Sequence, residues 1–299
     1  MPELPDIVVY LEALERHAVG TKLSRLRVAS PSVLRTYDPP YDAANGRRLV
    51  AMRRIGKRIV FDFGDELFVV VHLMIAGRFR WKDGPGTLIP KKVGLAAFDF
   101  EGGTLLLTEQ GTKRRAGIWI LAGEDALAAE DRGGLEPLEA DEAAFAEALK
   151  RENRTLKRAL TDPRLFSGIG NAFSDEILWE AGMSPVSRTG SLDPGGIRQL
   201  RSAVIESLTR WTDLLRTQVG EGWPDKVTAF RPEMAVHGKY GEPCPRCGSP
   251  VQRIVYAANE TNYCATCQTG GKLLADRSLS RLLKEDWPRT LEEMEERRP

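Results

Sequence analysis

The sequence predicts an α+β chain of several domains: a β-sandwich led by a helix, then a helical domain, then a small metal-braced ribbon. Three observations carry that prediction. Eight short apolar segments crowd between residues 23 and 121, the texture of an antiparallel sandwich or barrel. Helical periodicity takes over from residue 141. All four cysteines fall between residues 244 and 267, as two Cys-x2-Cys pairs.

Taken in order, Pro5 and Asp6 suit a first helical turn, Ile7, Val8, Leu11 and Leu14 recur at helical spacing, and Gly20 is a stop. The strands follow as 23–28, 49–54, 58–63, 67–73, 77–81, 95–100, 104–108 and 117–121, with Gly64-Asp65 and Gly102-Gly103 as turn signals. They define a domain over 1–125. Residues 126–140, rich in Ala, Gly, Glu and Asp, read as a linker. A helical domain spans 141–235, with helices over 141–150 and 153–160 and a loop Ser167-Gly168-Ile169-Gly170. Asn171 serves as the N-cap of the next helix, which buries Phe173, Ile177 and Leu178 and ends at Gly182 and Pro185. A long helix opens at Asp193, with Ile197, Leu200, Val204, Leu208, Trp211 and Leu215 as its core stripe. Residues 217–235, with Gly220, Gly222, Pro224 and Pro232, read as a loop. The cysteine module occupies 236–270. The tail, 271–299, is charged and helical, anchored by Leu279, Leu282, Leu283 and Trp287.

Composition bounds the function. The chain has 299 residues, 42% hydrophobic and 28% charged, and a net charge of +1 that announces no polyanion partner by itself. Its distribution is more telling. Basic residues cluster at Arg53-Arg54 with Lys57-Arg58, at 78–82, at Lys91-Lys92 and at Lys113-Arg114-Arg115, while acid gathers in 124–147 and the tail. A basic face offset by acid elsewhere suits a polyanion, and solvated surface charge is the bland alternative for any one cluster. The N-terminus lacks the basic and apolar regions of a signal peptide, and the longest apolar run, Leu67 to Val71, is a buried strand and not a membrane span. A cytoplasmic protein is expected, and the clustered cysteines fit that reducing compartment.

The cysteines carry the strongest chemistry. Cys244, Cys247, Cys264 and Cys267, with sixteen residues between the pairs, let four thiolates close a tetrahedron around one zinc ion with a hairpin between the knuckles. Four thiolates leave no open position, so the metal is structural. At the other end, removal of Met1 leaves Pro2 with a free secondary amine of pKa about 8. Such an amine attacks an aldehyde carbon to form an iminium, and Glu3 beside it can move protons. Pro2 after Met1 is also ordinary start-site sequence. The Gly168–Asn171 turn offers the amides of a helix start, led by Gly170, to a phosphate without reading a base.

Pro2-Glu3-Leu4-Pro5, Lys57, Gly-x-Gly-Asn and the two knuckles occur in the order seen in the formamidopyrimidine-DNA glycosylase/endonuclease VIII family, which the chain resembles over residues 1–268. Arg53-Arg54-x-x-Lys57, His72-Leu73 with Gly77, Lys157-x-x-Leu160-x-Asp162, 168–176 and Val236-x-Gly238-x-x-Gly241-Glu242-Pro243-Cys244 extend the likeness. The resemblance implies a helix-two-turn-helix domain between the sandwich and the zinc finger, with DNA in a cleft between domains. It implies base-excision repair by a monomer associated with the nucleoid. Pro2 would attack C1′ of an everted damaged nucleotide, Glu3 would be the acid/base, and Lys57 would contact phosphate and assist β-elimination. Asn171 and Lys157 would hold phosphates, and His72 and Gly170 belong to the same DNA-binding set.

The departures point to an atypical member. Asn259 stands where the family has an arginine on the zinc-finger hairpin, and it brings neither charge nor fork, which bears on δ-elimination. The three side chains that fill the gap left by an everted base, a methionine, an arginine and a phenylalanine, correspond to Ile75, Arg114 and Ala116. Alanine cannot wedge. The 217–235 loop lacks the long Gly-Thr-rich form, a histidine is missing near Lys91-Lys92, and Asp6 replaces glutamate. The expected activity is therefore a glycosylase with AP lyase action on damaged, abasic or single-stranded DNA. The alternative is a catalytically silent relative that recognises damaged or structured DNA; a zinc-ribbon RNA- or protein-interaction module ranks below both.

Overall fold

The computed structural model describes residues 1–111, 113–256, 259–275, 282, 284 and 288–296. Helix α1 (Leu4–His17) starts where the sequence sets it. Glu3 is the extended N-cap, its N–H donates to Asp6 Oδ2 at 3.0 Å, and its side chain accepts the Asp6 N–H, a capping box. Ile7, Tyr10 and Leu14 enter the core, while Val8 and Leu11 lie half-buried at its margin.

The strands are β1 (Leu23–Val28), β2 (Ala51–Ile55), β3 (Arg58–Asp62), β4 (Leu67–His72), β5 (Gly77–Asp83), β6 (Gly94–Phe100), β7 (Gly103–Glu109) and β8 (Gly117–Ala122). They form two antiparallel four-stranded sheets, ordered β1-β6-β7-β5 and β2-β3-β4-β8. Facing side chains join them: Phe61 on β3 stacks on Phe98 of β6 at 5.4 Å and meets Phe79 of β5 edge-on at 6.0 Å. Strand β4 is buried on both faces, Val69 and Val71 toward the sandwich interior and Phe68 and Val70 toward a second cluster. That second cluster corrects the linker expectation. Residues 124–128 form α2 (Glu124–Ala128), which lays Leu127 over Val60, Phe68, Val70 and Leu121. Burying a leucine is worth about 1.5–3 kcal/mol, enough to hold one short turn on the sheet.

The chain divides into two compact units, 1–133 with 210–228, and 134–209 with 229–299. Residues 126–133 therefore go with the sandwich, and 134–140 with the helices, where Leu135 bridges Phe166. The return of 210–228 to the first unit differs from the expected single domain over 141–235, and the reason is Trp223. Its indole N–H donates to Phe79 O at 3.2 Å, and its ring lies 5.8–6.0 Å from those of Tyr10, His17 and Trp81. Arg16 binds the Gly220 and Gly222 carbonyls, Arg216 forks onto Glu12, and Val227 joins the sandwich core.

In the second unit α3 (Glu142–Lys150) is capped by Asp141 and α4 (Leu156–Thr161) by Thr155, so the latter helix starts three residues later than expected from the sequence. Helix α5 (Asn171–Glu180) follows the glycine turn, and Gly182, at φ +62°, ends it. Helix α6 (Pro194–Val219) buries its expected stripe, with Asp193 accepting the Gly196 N–H at 2.7 Å. Strands β9 (Val251–Tyr256) and β10 (Asn259–Cys264) pair antiparallel, and α7 (Ala265–Thr269) follows. Of the tail, Leu273, Leu274 and Leu291 pack on Ile254, Tyr263 and Ala265. Leu282, expected as an anchor, is 77% exposed, and Leu279, Leu283 and Trp287 lie outside the described residues.

Candidate catalytic terminus, phosphate turn and metal centre

The capping box that starts α1 also fixes the chemistry of the terminus. Pro2 is buried, and Glu3, itself buried, is held by its bonds with Asp6. In the full chain the free amine belongs to Met1. Burial pushes its pKa below the usual 8.0; Glu3 and Asp6 oppose that, and Arg78 and Lys57 reinforce it. Lys57, in the β2–β3 turn, is likewise held low by burial, with Glu3 pulling the other way. The sandwich thus brings the Met1 amine, Glu3 and Lys57 into one electrostatic neighbourhood. Arg78 joins them, which the sequence did not single out.

His72 closes β4. Its Nδ1 accepts the Met74 N–H at 3.0 Å, which leaves the proton of the neutral ring on Nε2. Burial, then the charges of Arg58 and Lys57, push its pKa down to about 4. The bond also steadies Met74 at φ +52°, a conformation rare for a non-glycine residue. The next residue, Ile75, is 58% exposed in the turn. Gly77 closes the turn: a Cβ there would lie 2.2 Å from Leu73 O. Arg114 is exposed and donates to Lys92 O at 2.5 Å. Ala116 is 2% exposed, its N–H and that of Arg115 donating to the buried Glu109 carboxylate. A wedge at this position is therefore precluded by burial as well as by size.

In the second unit the glycine turn is assembled differently from expectation. Gly170, extended, is the N-cap of α5, and Asn171 is its first helical residue. The Asn171 side chain turns to the ribbon and donates to Glu260 O at 2.8 Å. Lys157 is buried, its ammonium 2.6 Å from both Asn171 O and Asp175 Oδ1. It therefore braces the start of α5 from inside, through its bonds to Asn171 O and Asp175. Asp175 also bonds His237 Nδ1 at 2.8 Å, and the buried Glu176 carboxylate accepts the N–H groups of Ala235, Val236 and His237, each at 2.9 Å. Asp175 and Glu176 stand in the family-like stretch 168–176, but their pairing with His237 has no spacing signal, because the partners meet only after folding.

The ribbon holds the metal. The four cysteine sulfurs lie within 4.8 Å of one another, with Cys244–Cys267 at 4.0 Å and Cys247–Cys264 at 3.4 Å. A zinc ion at about 2.3 Å from each sulfur needs tetrahedral edges of about 3.8 Å, so the set fits one structural Zn2+. Burial pushes Cys264 up and Cys267 up to about 11, and a bound dication would hold both as thiolates. Trp179 Nε1 donates to Cys244 Sγ at 3.3 Å, and Gln268 Oε1 accepts the Cys264 N–H at 2.8 Å. Asn259 pairs with Tyr256 in the β9–β10 ladder, and its side chain lies outside the described set.

Three family models match in sequence: the formamidopyrimidine-DNA glycosylase N-terminal domain at residues 1–118, the H2TH domain of the same glycosylase at 134–216, and the zinc finger found in FPG and IleRS at 241–270. A formamidopyrimidine-DNA glycosylase of Thermus thermophilus is 33% identical over 280 residues, covering 91% of this chain and all of that one. The glycosylase of Lactococcus lactis subsp. cremoris is 30% identical over 281 residues, covering 90% of this chain and 99% of its own. Among solved structures, the Lactococcus lactis enzyme bound to abasic-site DNA superposes with a TM-score of 0.79 at 26% identity, over 89% of this chain and 99% of that one. The same enzyme with DNA containing an oxidised pyrimidine gives 0.78 at 26%, over 90% and 100%. With matched models over all three modules and a relative at 33% identity along its whole length, the chain belongs to the formamidopyrimidine-DNA glycosylase family.

Proposed function

We propose that this DNA glycosylase of base-excision repair is bifunctional, excising a damaged base through its terminal amine and then cutting the strand by β-elimination. One observation carries the reading: Pro2 and Glu3 lie at the buried start of α1, where Glu3 and Lys57 act on one electrostatic neighbourhood and burial holds the Met1 amine below its ordinary pKa. After loss of Met1 the Pro2 nitrogen attacks C1′, and the N–C1′ bond replaces the glycosidic bond. The departing base takes a proton, the nitrogen loses its own, and its lone pair then breaks the C1′–O4′ bond to give the iminium; Glu3 suits the proton delivered to the opening sugar oxygen. The iminium then acidifies the C2′ proton, whose removal expels the 3′-phosphate, and water releases the sugar. Half-buried and held low by burial, Lys57 suits the proton transfer of that elimination. The turn at Gly170 and Asn171 suits a backbone phosphate.

The lesion range is atypical. Ala116 is buried and brings no wedge to the opposite strand, whereas Lys113, Arg114 and Arg115 beside it are exposed cations. Such a surface favours abasic and single-stranded substrates, because phosphate contacts survive loss of the complementary strand. The test is borohydride trapping on abasic DNA, single-stranded and duplex, with intact mass confirming removal of Met1. The wild type should form a covalent adduct on both, and Pro2→Gly should lose it. No adduct with any abasic substrate, while DNA is still bound, would leave the silent DNA-binding relative as the reading.

A further inference from the structure

Strand β5 presents Phe79 and Trp81 to the core and turns Arg78 and Arg80 to the other face. Both arginines engage the returning segment: Arg80 meets Asp225 at 3.3 Å, and Arg78 Nε donates to Val227 O at 2.6 Å. Arg78 does more than its neighbour. Its Nη1 also donates to Gly77 O at 2.7 Å and Ile75 O at 3.2 Å. One guanidinium therefore closes the 72–78 turn that carries Ile75 and ties residue 227 against it. Among the described residues it forms no ion pair with a carboxylate. Its hydrogen bonds go to backbone carbonyls, and its charge acts on the terminal amine.

We propose that Arg78 is a positioning residue for the excision chemistry: it fixes the Ile75 turn and the 223–228 segment on β5, and it keeps a positive charge, in no ion pair among the described residues, beside the N-terminus. This rests on the reading of the terminal amine as nucleophile. The groups that act on the terminal amine with Met1 in place are Glu3, Asp6, Arg78 and Lys57, and the two cations disfavour its protonation; loss of Met1 moves that amine by one residue, to Pro2, within the same set of charges. Removing the Arg78 charge raises the amine's pKa and shrinks its free fraction at neutral pH. The two functions are separable, because lysine keeps the charge but cannot fork onto carbonyls of two segments at once.

The test takes full-length wild type, Arg78→Gln and Arg78→Lys, and measures borohydride trapping on abasic DNA against pH together with amide hydrogen exchange. Arg78→Gln should trap on the order of tenfold more slowly at pH 7, through lost orientation as well as lost free amine. Its pH midpoint should move up, and the 72–78 and 223–228 amides should lose protection. Arg78→Lys should keep the wild-type midpoint and still lose the protection. Unchanged midpoint and unchanged protection in Arg78→Gln would overturn the proposal. Should the wild type fail to trap at all, the lyase reading falls. The rate of terminal-amine acylation against pH, read by peptide mass, then decides the charge role alone: a midpoint moved up in Arg78→Gln supports it, and an unmoved one refutes it.

Discussion

At His72, burial and the charges of Arg58 and Lys57 act in the same direction, and the Met74 N–H on Nδ1 selects the neutral ring. The folded state therefore binds a proton less readily than the unfolded chain, whose histidine titrates near pH 6.5. The stabilisation from a neutral His72 is complete above about pH 6.5 and is lost as pH falls toward 4, at most about 3 kcal/mol. His72→Gln keeps an acceptor for Met74 but cannot titrate. Urea unfolding at pH 7.5, 5.5 and 4.5 should show wild type losing more stability on acidification than the variant. Parallel losses would refute the account. The places of His72 at the end of β4 and of Pro2 and Glu3 at the start of α1 were legible because short local motifs carry them. Lys157 was not: a lysine in a motif looks the same whether its ammonium meets a phosphate or, as here, a buried Asp175 reached across eighteen positions.

Helix α5 shows the same division one level up. Its start, its buried Phe173, Ile177 and Leu178 and its stop at Gly182 follow from periodicity and glycine punctuation. What it holds does not, since Glu176 gathers three amides from 235–237 that lie about sixty positions away. The cap was misassigned for a related reason: Asn171 is a good cap by type, but its amide is drawn to Glu260 O on β10 and leaves the role to Gly170. The eight sandwich strands came out nearly in register with the sequence because Gly and Asp turns bound each apolar run. The 217–228 loop did not, since one tryptophan inserted in an aromatic cluster decides its place. Burial pushes the Glu176 carboxyl up, and the three donors restrain that rise. Glu176→Gln puts one NH2 against those donors and should cost about 2–3 kcal/mol. The same change should loosen the approach to Cys244, so a chelator should extract zinc faster, followed with a metal-sensitive dye. Equal extraction rates and equal unfolding midpoints would dissociate Glu176 from the ribbon.

Across the whole molecule, the amine, Glu3 and Lys57 belong to the unit built on the sandwich, and the glycine turn at 168–171 and the metal belong to the other. The first unit has a two-sheet core of its own, rich in Phe, Val and Leu. The ribbon has only a handful of buried apolar side chains around its sulfurs and depends on zinc to fold. Loss of the metal should therefore act on one unit. Chelation of zinc from the intact protein should abolish DNA binding and strip protection from the β9–β10 amides, while the sandwich strands stay protected from exchange. Trp179 reports the event, since its indole N–H rests on Cys244 Sγ. Its fluorescence should change on chelation and return with added Zn2+, and Trp179→Phe should remove that signal without removing the zinc requirement for DNA. Simultaneous loss of protection in β4 and β10 would mean that the sandwich leans on the metal, and the division of labour between the two units would have to be abandoned.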